Sequence, residues 1–173
     1  LSVNEREANE KRPSRLGQMD EVGEAGNVVR RILSEETWLL RAAVLWPEKT
    51  PGPECRLAVD EAPGAFHVGV FRGPELVAIG SFLPEQHPVL TPRVGYRLRA
   101  MATHPDHRGQ GCGRALIRHA EQELKRAGEG GIWADARKVA LGFYAGLGWD
   151  VSGPFYDVPK RGKHRLVHTT FDR

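Results

Sequence analysis

Apolar and polar positions change period several times along this chain, and each change marks an element. The first 26 residues are rich in Glu, Arg, Asn, Lys, Pro and Gly and carry almost no periodic apolar positions. Residues 1–26 therefore read as a flexible tail, which leaves 27–173 as one domain. Val28 to Ile32 is a short β-branched strand. Ser34, followed by Glu35 and Glu36, offers an N-cap and an acidic first turn to a helix that runs to about Trp46 and stops at Pro47. A proline-rich loop follows, and Leu57 to Ala62 is either a short strand or more of that loop.

From Ala65 the period falls to that of strands. "AFHVGVF", the turn "RGP" and "ELVAIGSFL" predict a hairpin. Val94 to Thr103 alternates large polar and apolar residues as a central strand should, with Arg97 and Arg99 on one face, and Pro105 closes it. Ala115, Leu116, His119, Ala120, Glu123 and Leu124 then recur at helical spacing, which predicts a helix over 113–127 with a Glu121 to Lys125 surface pair. "IWADA" is a strand, Lys138 to Leu147 a second helix ended by Gly148, and "WDVSGPFYDV" with "HRLVHTTF" a closing antiparallel pair. Strands and helices in this order predict an α/β domain with a mixed sheet.

Composition narrows the function classes. With 40% apolar and 27% charged residues, 173 residues can bury one core. The longest apolar runs fall far short of the ~20 residues that span a bilayer. Cys55 and Cys112 are far apart in sequence, with no CxxC or Cys/His cluster, so neither a disulfide framework nor a metal site is expected and a cytoplasmic setting fits. The net charge is +3, with the acidic first 24 residues leaving +5 on the rest. That is too mild a basic surplus for a duplex-binding stripe, and neither nucleic acid nor membrane is expected as a partner.

The candidate chemistry sits in "RGQGCG", Arg108 to Gly113, immediately before the long helix. Arg114 and Ala115 do not supply the Lys and Ser/Thr of a phosphate-binding P-loop, and the third glycine of a dinucleotide fingerprint is absent. What remains is a flexible loop feeding bare amides into a helix N-terminus, which favours an anion such as a pyrophosphate. The bland reading is a turn ahead of a surface helix.

A wider comparison of motifs separates the two. "MATHPDHRGQGCGRALI" resembles the acyl-CoA motif of the GNAT acetyltransferase superfamily, carried here by Arg108, Gly111 and Gly113. "RKVALGFYAGLGW" is similar to the family's second motif through Arg137, Ala140, Phe143, Tyr144, Gly148 and Trp149. The resemblance implies a mainly antiparallel sheet flanked by helices, with a splayed central strand pair forming an acyl-CoA cleft. It implies acetyl-CoA as cosubstrate, Met101, Ala102 and Thr103 against the pantetheine arm, and Arg108, Gly109, Gln110, Gly111, Cys112, Gly113 and Arg114 around the pyrophosphate. Arg137 and Phe143 join the cofactor contacts, and Tyr144 stands where many members place the acid that protonates the departing thiolate. The implied reaction is direct acetyl transfer to a primary amine of a small molecule or peptide.

Two departures matter. Arg137 stands where many members have Asn, and Val94 to Thr103 lacks the carboxylate that often serves as base. His67, His104, Asp135, Asp60 and Glu61 are candidates for that base, each read more simply as a packed histidine, a cap or a loop acid. The missing carboxylate keeps open an acyl-CoA-binding regulatory module without turnover. Arg97 and Arg99 either line the acceptor pocket or pair with neighbouring acids. Cys112 fills a small hole, the four tryptophans read as core, and Lys160 to Arg165 reads as a solvated turn from which His164 points inward. Dimerisation through the terminal strands stays open.

Overall fold

The computed structural model describes residues 21–22 and 26–172. Among them, eight strands form one sheet in the order β1-β2-β3-β4-β5-β6-β8-β7. These are β1 (Glu21–Val22), β2 (Asn27–Ile32), β3 (Phe66–Arg72), β4 (Glu75–Pro84), β5 (Tyr96–Thr103), β6 (Gly131–Arg137), β7 (Asp150–Val158) and β8 (Gly162–Thr170). The helices are α1 (Trp38–Leu40), α2 (Cys112–Arg126) and α3 (Leu141–Gly146). Most of the stretch read as a tail lies outside the described residues, but β1 falls within it and pairs with Val28 and Val29 of β2.

Neighbouring strands are antiparallel except β5 and β6, which run parallel. The β5–β6 pairing lasts for only two residue pairs, Tyr96↔Ile132 and Arg97↔Trp133. Beyond them the strands diverge, so the sheet forks at its centre. On the other edge of β5 the register with β4 slips between Ile79 and Ser81, opposite Ala100, whose φ of 49° is unusual for a residue with a side chain. The extra residue resets the alternation of β5: Leu98 and Met101, three apart, both pack into the main core, whereas Ala102 packs toward α1.

The main core lies between the sheet and α2, whose Leu116, Ile117, Ala120 and Leu124 are buried at helical spacing. The expected Glu121 to Lys125 pair does not form. Glu121 turns inward instead, accepting from Trp149 Nε1 at 2.8 Å and Arg118 Nη1 at 2.7 Å, because a buried indole N–H and a nearby guanidinium offer more than a solvated lysine. Lys125 lies over the Phe171 ring.

The first helical segment also departs from expectation. It opens as a 3₁₀ turn (Ser34–Thr37), becomes α1 and widens into a π turn (Arg41–Leu45). Leu33, not Ser34, is the capping residue, and its N–H donates to the Glu36 carboxylate at 2.7 Å. Ser34 is buried in the first turn and donates to Glu61.

Arg41 anchors this segment on the other face of the sheet. Its fully buried guanidinium donates through Nη1 and Nη2 to the two Asp60 carboxylate oxygens at 2.6 and 2.8 Å, and also to the Cys55 carbonyl and Ser81 Oγ. Desolvation pushes the Asp60 carboxyl up, but the bonds from Arg41 and the Leu57 N–H outweigh it and hold the pKa below its ordinary value. His67 completes the cluster. Its Nε2 must carry the proton, since it meets the Asp60 carbonyl at 3.0 Å, so Nδ1 accepts the Ser81 hydroxyl at 2.8 Å. No helix among the described residues is long and apolar enough to cross a membrane.

Removing one partner of a buried ion pair leaves an uncompensated charge. Asp60→Ala is therefore expected to destabilise the fold by about 3–5 kcal/mol, read from urea or thermal unfolding.

Candidate active site

The fork opens a cleft of about 860 Å³. One wall is β5 from Arg97 to Thr103, the other is β6 from Ala134 to Arg137, and α3 with the start of α2 closes one side. Past Arg97 the inner edge of β5 has no strand partner, so its backbone donors and acceptors face the cleft, where an extended amide-bearing chain can satisfy them.

The glycine loop forms the far mouth. Gly109 and Gly111 have φ of 70° and 80°, and a Cβ at either would meet nothing within 4 Å. Their requirement is conformational: a left-handed backbone beside open space, wide enough for a ligand. Gly113 serves differently. A Cβ there would press on Met101 Cε at 3.1 Å and on Phe143 Cζ at 3.2 Å, so its bareness lets the first turn of α2 dock on both residues. Gly111 caps α2 with no side-chain bond, and the first backbone bond of the helix runs from Ala115 N to Gly111 O, leaving the amides of the first turn for the cleft.

Met101, Ala102, Thr103, Arg108, Gly109, Gly111, Cys112, Gly113, Arg114, Arg137, Phe143 and Tyr144 all line this cleft. Gln110 does not; its amide nitrogen donates to the Asp106 carbonyl and its oxygen accepts from Arg72, which braces the loop from outside. Arg137 is exposed, and its side chain makes no cap bond at the start of the helical turn it precedes. The open loop, the bare helix terminus, three arginines at the mouth and an unpaired strand edge fit a long polar arm ending in phosphates. Among the described residues, no cluster of His, Cys, Asp or Glu is suited to a metal.

Tyr144 is buried where α3 meets β5, with its hydroxyl 3.9 Å from Met101 Sδ and its ring against Phe143 and Trp149. Burial pushes its pKa well above the ordinary phenol value, so the hydroxyl stays protonated throughout the working range.

Of the residues considered as bases, only Asp135 reaches the cleft, and it is engaged by Arg97 Nη2 at 2.5 Å and by the Tyr156 hydroxyl. His67 and Asp60 belong to the buried Arg41 cluster, Glu61 accepts from Ser34, and His104 Nδ1 accepts from the Asp106 N–H. His164, buried on β8, also lines the cleft. Its Nδ1 meets the Gly162 carbonyl at 2.8 Å and must donate there, so in the neutral ring the lone pair lies on Nε2. The inward placement of His164 was legible in the sequence; its chemistry was not.

Two further side chains depart from the sequence reading. Trp46 is not core: it is half-buried and lines the cleft beside Val44 and Leu45. Arg161 is no solvated turn residue. From the turn between β7 and β8 it donates to the Leu45 carbonyl and pairs with Glu48 at 3.2 Å, bridging the cleft to the first helical segment. Neither role shows in sequence spacing, since Arg161 and Leu45 lie 116 positions apart.

The model of the acetyltransferase (GNAT) family matches residues 31–149, which include the fork, the loop and Tyr144. The chain belongs to the GNAT acetyltransferase family. A relative from Bacillus subtilis (strain 168), the uncharacterized N-acetyltransferase YitI, is 39% identical over 142 residues, covering 82% of this chain and 95% of YitI. The GNAT fold recurs in the ribosomal-protein-S18-alanine N-acetyltransferase from Escherichia coli (TM-score 0.64, 17% identity, 83% of this chain and 93% of that one). It recurs also in an aminoglycoside 6'-N-acetyltransferase complexed with coenzyme A (TM-score 0.66, 17% identity, 84% and 98%). This GNAT protein is an acyltransferase of the N-acetyltransferase class.

The glycines of the loop make separable demands. Gly111→Ala forces a Cβ into a left-handed conformation and is expected to cost about 1–2 kcal/mol in thermal unfolding without displacing any neighbour. Gly113→Val is expected to push Phe143 and Met101 aside and to weaken acetyl-CoA binding by calorimetry as well.

Proposed function

We propose that this GNAT enzyme transfers the acetyl group of acetyl-CoA to a primary amine by direct attack, with both substrates held in the forked cleft. The observation that supports it most is the placement of Tyr144, a buried and protonated hydroxyl beside Met101 on the unpaired edge of β5. Acetyl-CoA supplies an activated thioester. Arg108, the loop amides from Gly109 to Gly113, and Arg114 would hold its phosphates, while the free edge of β5 at Met101, Ala102 and Thr103 would hold its amide-bearing arm.

The chain's own groups then share three tasks. The amide at Met101 or Ala102 donates to the acetyl carbonyl oxygen where negative charge grows. His164 Nε2 takes the proton the amine loses as its nitrogen bonds to the acetyl carbon. Tyr144 gives its hydroxyl proton to the sulfur as the carbon–sulfur bond breaks. No carboxylate on β5 is needed. Orientation of an amine against the thioester can itself lower the barrier by several kcal/mol, with a ceiling of roughly 7–11 kcal/mol.

Calorimetric titration with acetyl-CoA, followed by thiol release against a panel of amines, tests the reading. Binding with amine-dependent release is expected. Binding without release from any amine would replace it with a regulatory acyl-CoA-binding module. Tyr144→Phe is expected to lower turnover by roughly 10- to 10⁴-fold, the span of acid catalysis, while leaving acetyl-CoA affinity nearly unchanged. Gly111→Glu, which puts a carboxylate where phosphates would sit, is expected to abolish binding in the same titration.

A further inference from the structure

We infer that the acceptor is an amino carboxylate, an α-amino acid with an apolar side chain, whose carboxylate is held by Arg99. This rests on the acyl-transfer reading above and adds the substrate class to it. The two arginines at the apex of the fork are two residues apart on β5 and face the same side, yet their surroundings differ. Arg97 is neutralised twice, by Glu85 at 2.8 Å and Asp135 at 2.5 Å, and its guanidinium lies 4.6 Å from the Trp133 ring centroid. Arg99 lines the same cleft half-buried, and its side chain makes no hydrogen bond and no ion pair with any described residue.

Burial and the nearby Arg97 disfavour the charge on Arg99 and together outweigh the more distant carboxylates of Glu85, Asp135 and Asp60, which favour it; a guanidinium keeps its charge across the physiological range all the same. A half-buried guanidinium whose N–H donors are bonded to no protein group is costly, and its five N–H donors in a planar fork match a carboxylate in two parallel bonds. The cofactor phosphates are a poor candidate for that anion. Their loop begins at Arg108, beyond the end of β5, whereas Arg99 lies four residues before Thr103, about 13 Å back along the strand at ordinary rise. A phosphate on the acceptor is also disfavoured, because Arg99 by itself balances one negative charge, and Glu85 and Asp135 nearby repel a second.

The rest of this end of the cleft fixes the remaining chemistry. Val44, Leu45, Trp46 and Val158 offer an apolar surface beside Arg99 and His164. The bridge from Arg161 to the Leu45 carbonyl and Glu48 spans this end, which favours a small molecule over an amine on a folded protein.

The test compares phenylalanine and leucine with phenylalaninamide, leucinamide and the corresponding simple amines, on the full chain with acetyl-CoA. The amino acids are expected to exceed their amides in kcat/KM by on the order of 10²- to 10³-fold, the effect of unpairing a partly buried charge. Arg99→Met should close that gap by raising KM for the amino acids, and Arg99→Lys should close it partly. Acetyl-CoA affinity should be unchanged in both, which also shows that they fold. Calorimetric binding of phenylalanine to the chain saturated with desulfo-CoA, lost in Arg99→Met, gives a readout that needs no turnover. An acid-to-amide ratio that is near one, or that survives in Arg99→Met, overturns the inference. Failure of every amine to release thiol while phenylalanine binding still depends on Arg99 would instead overturn acyl transfer and leave the carboxylate site standing.

Discussion

Everything functional in this protein depends on a pairing that stops. β5 and β6 are interior strands of the sheet, a costly place to give up ladder hydrogen bonds, yet they share only two residue pairs before diverging. A parallel pair can open this way because its other edges hold: β5 stays bonded to β4 through Thr103, and β6 stays bonded to β8 over its whole length. The bulge at Ala100 accompanies the divergence and turns Met101 toward α2 and Ala102 toward α1. One irregularity therefore exposes a strand edge and sorts the side chains on it between the two faces.

Each face of the fork has its own support. On one side, α2 and α3 pack through Leu116, Ile117, Tyr144 and Trp149, with Glu121 tying the helix to the start of β7. On the other side, the buried pair of Arg41 and Asp60 holds the first helical segment and the loop after it against Ser81 and His67 on the sheet. A buried ion pair contributes little net stability beside an apolar replacement, but its geometry allows few alternatives. That rigidity bears on the site, since Leu45 and Trp46 follow Arg41 within five residues and form the apolar wall met by Arg161.

The sequence showed best what repeats locally. The period of α2, the hairpin of β3 and β4, and the closing pair of β7 and β8 were legible because their signals lie within ten or fifteen residues. The cleft residues from Met101 to Arg114 and Tyr144 were reachable through two motifs, each a compact local pattern. What escaped depends on contacts across the chain: the inward turn of Glu121 toward Trp149, the capping role of Leu33, the exposure of Trp46 to the cleft and the reach of Arg161 to Leu45. The three glycines looked like one feature in the sequence and divide in the fold, two requiring a left-handed backbone and one requiring close packing. Arg97 and Arg99 show the same limit, because no local pattern says which of two alternating arginines finds acids.

The burial of Tyr144 bears on its proposed role as acid in two opposing ways. A phenol pushed above its ordinary pKa is a weaker acid, which by itself opposes proton transfer to sulfur. The same apolar surroundings would act on a thiolate leaving beside the hydroxyl, however, since desolvation disfavours every anion placed there and would raise the basicity of that sulfur. Proton transfer depends on the difference between the two pKa values, and a shared environment shifts both upward. Water at the hydroxyl would break that symmetry by solvating one anion more than the other. In the proposed mechanism the packing of Phe143, Trp149 and Met101 around Tyr144 would therefore be part of the acid, because it would keep donor and acceptor under one dielectric.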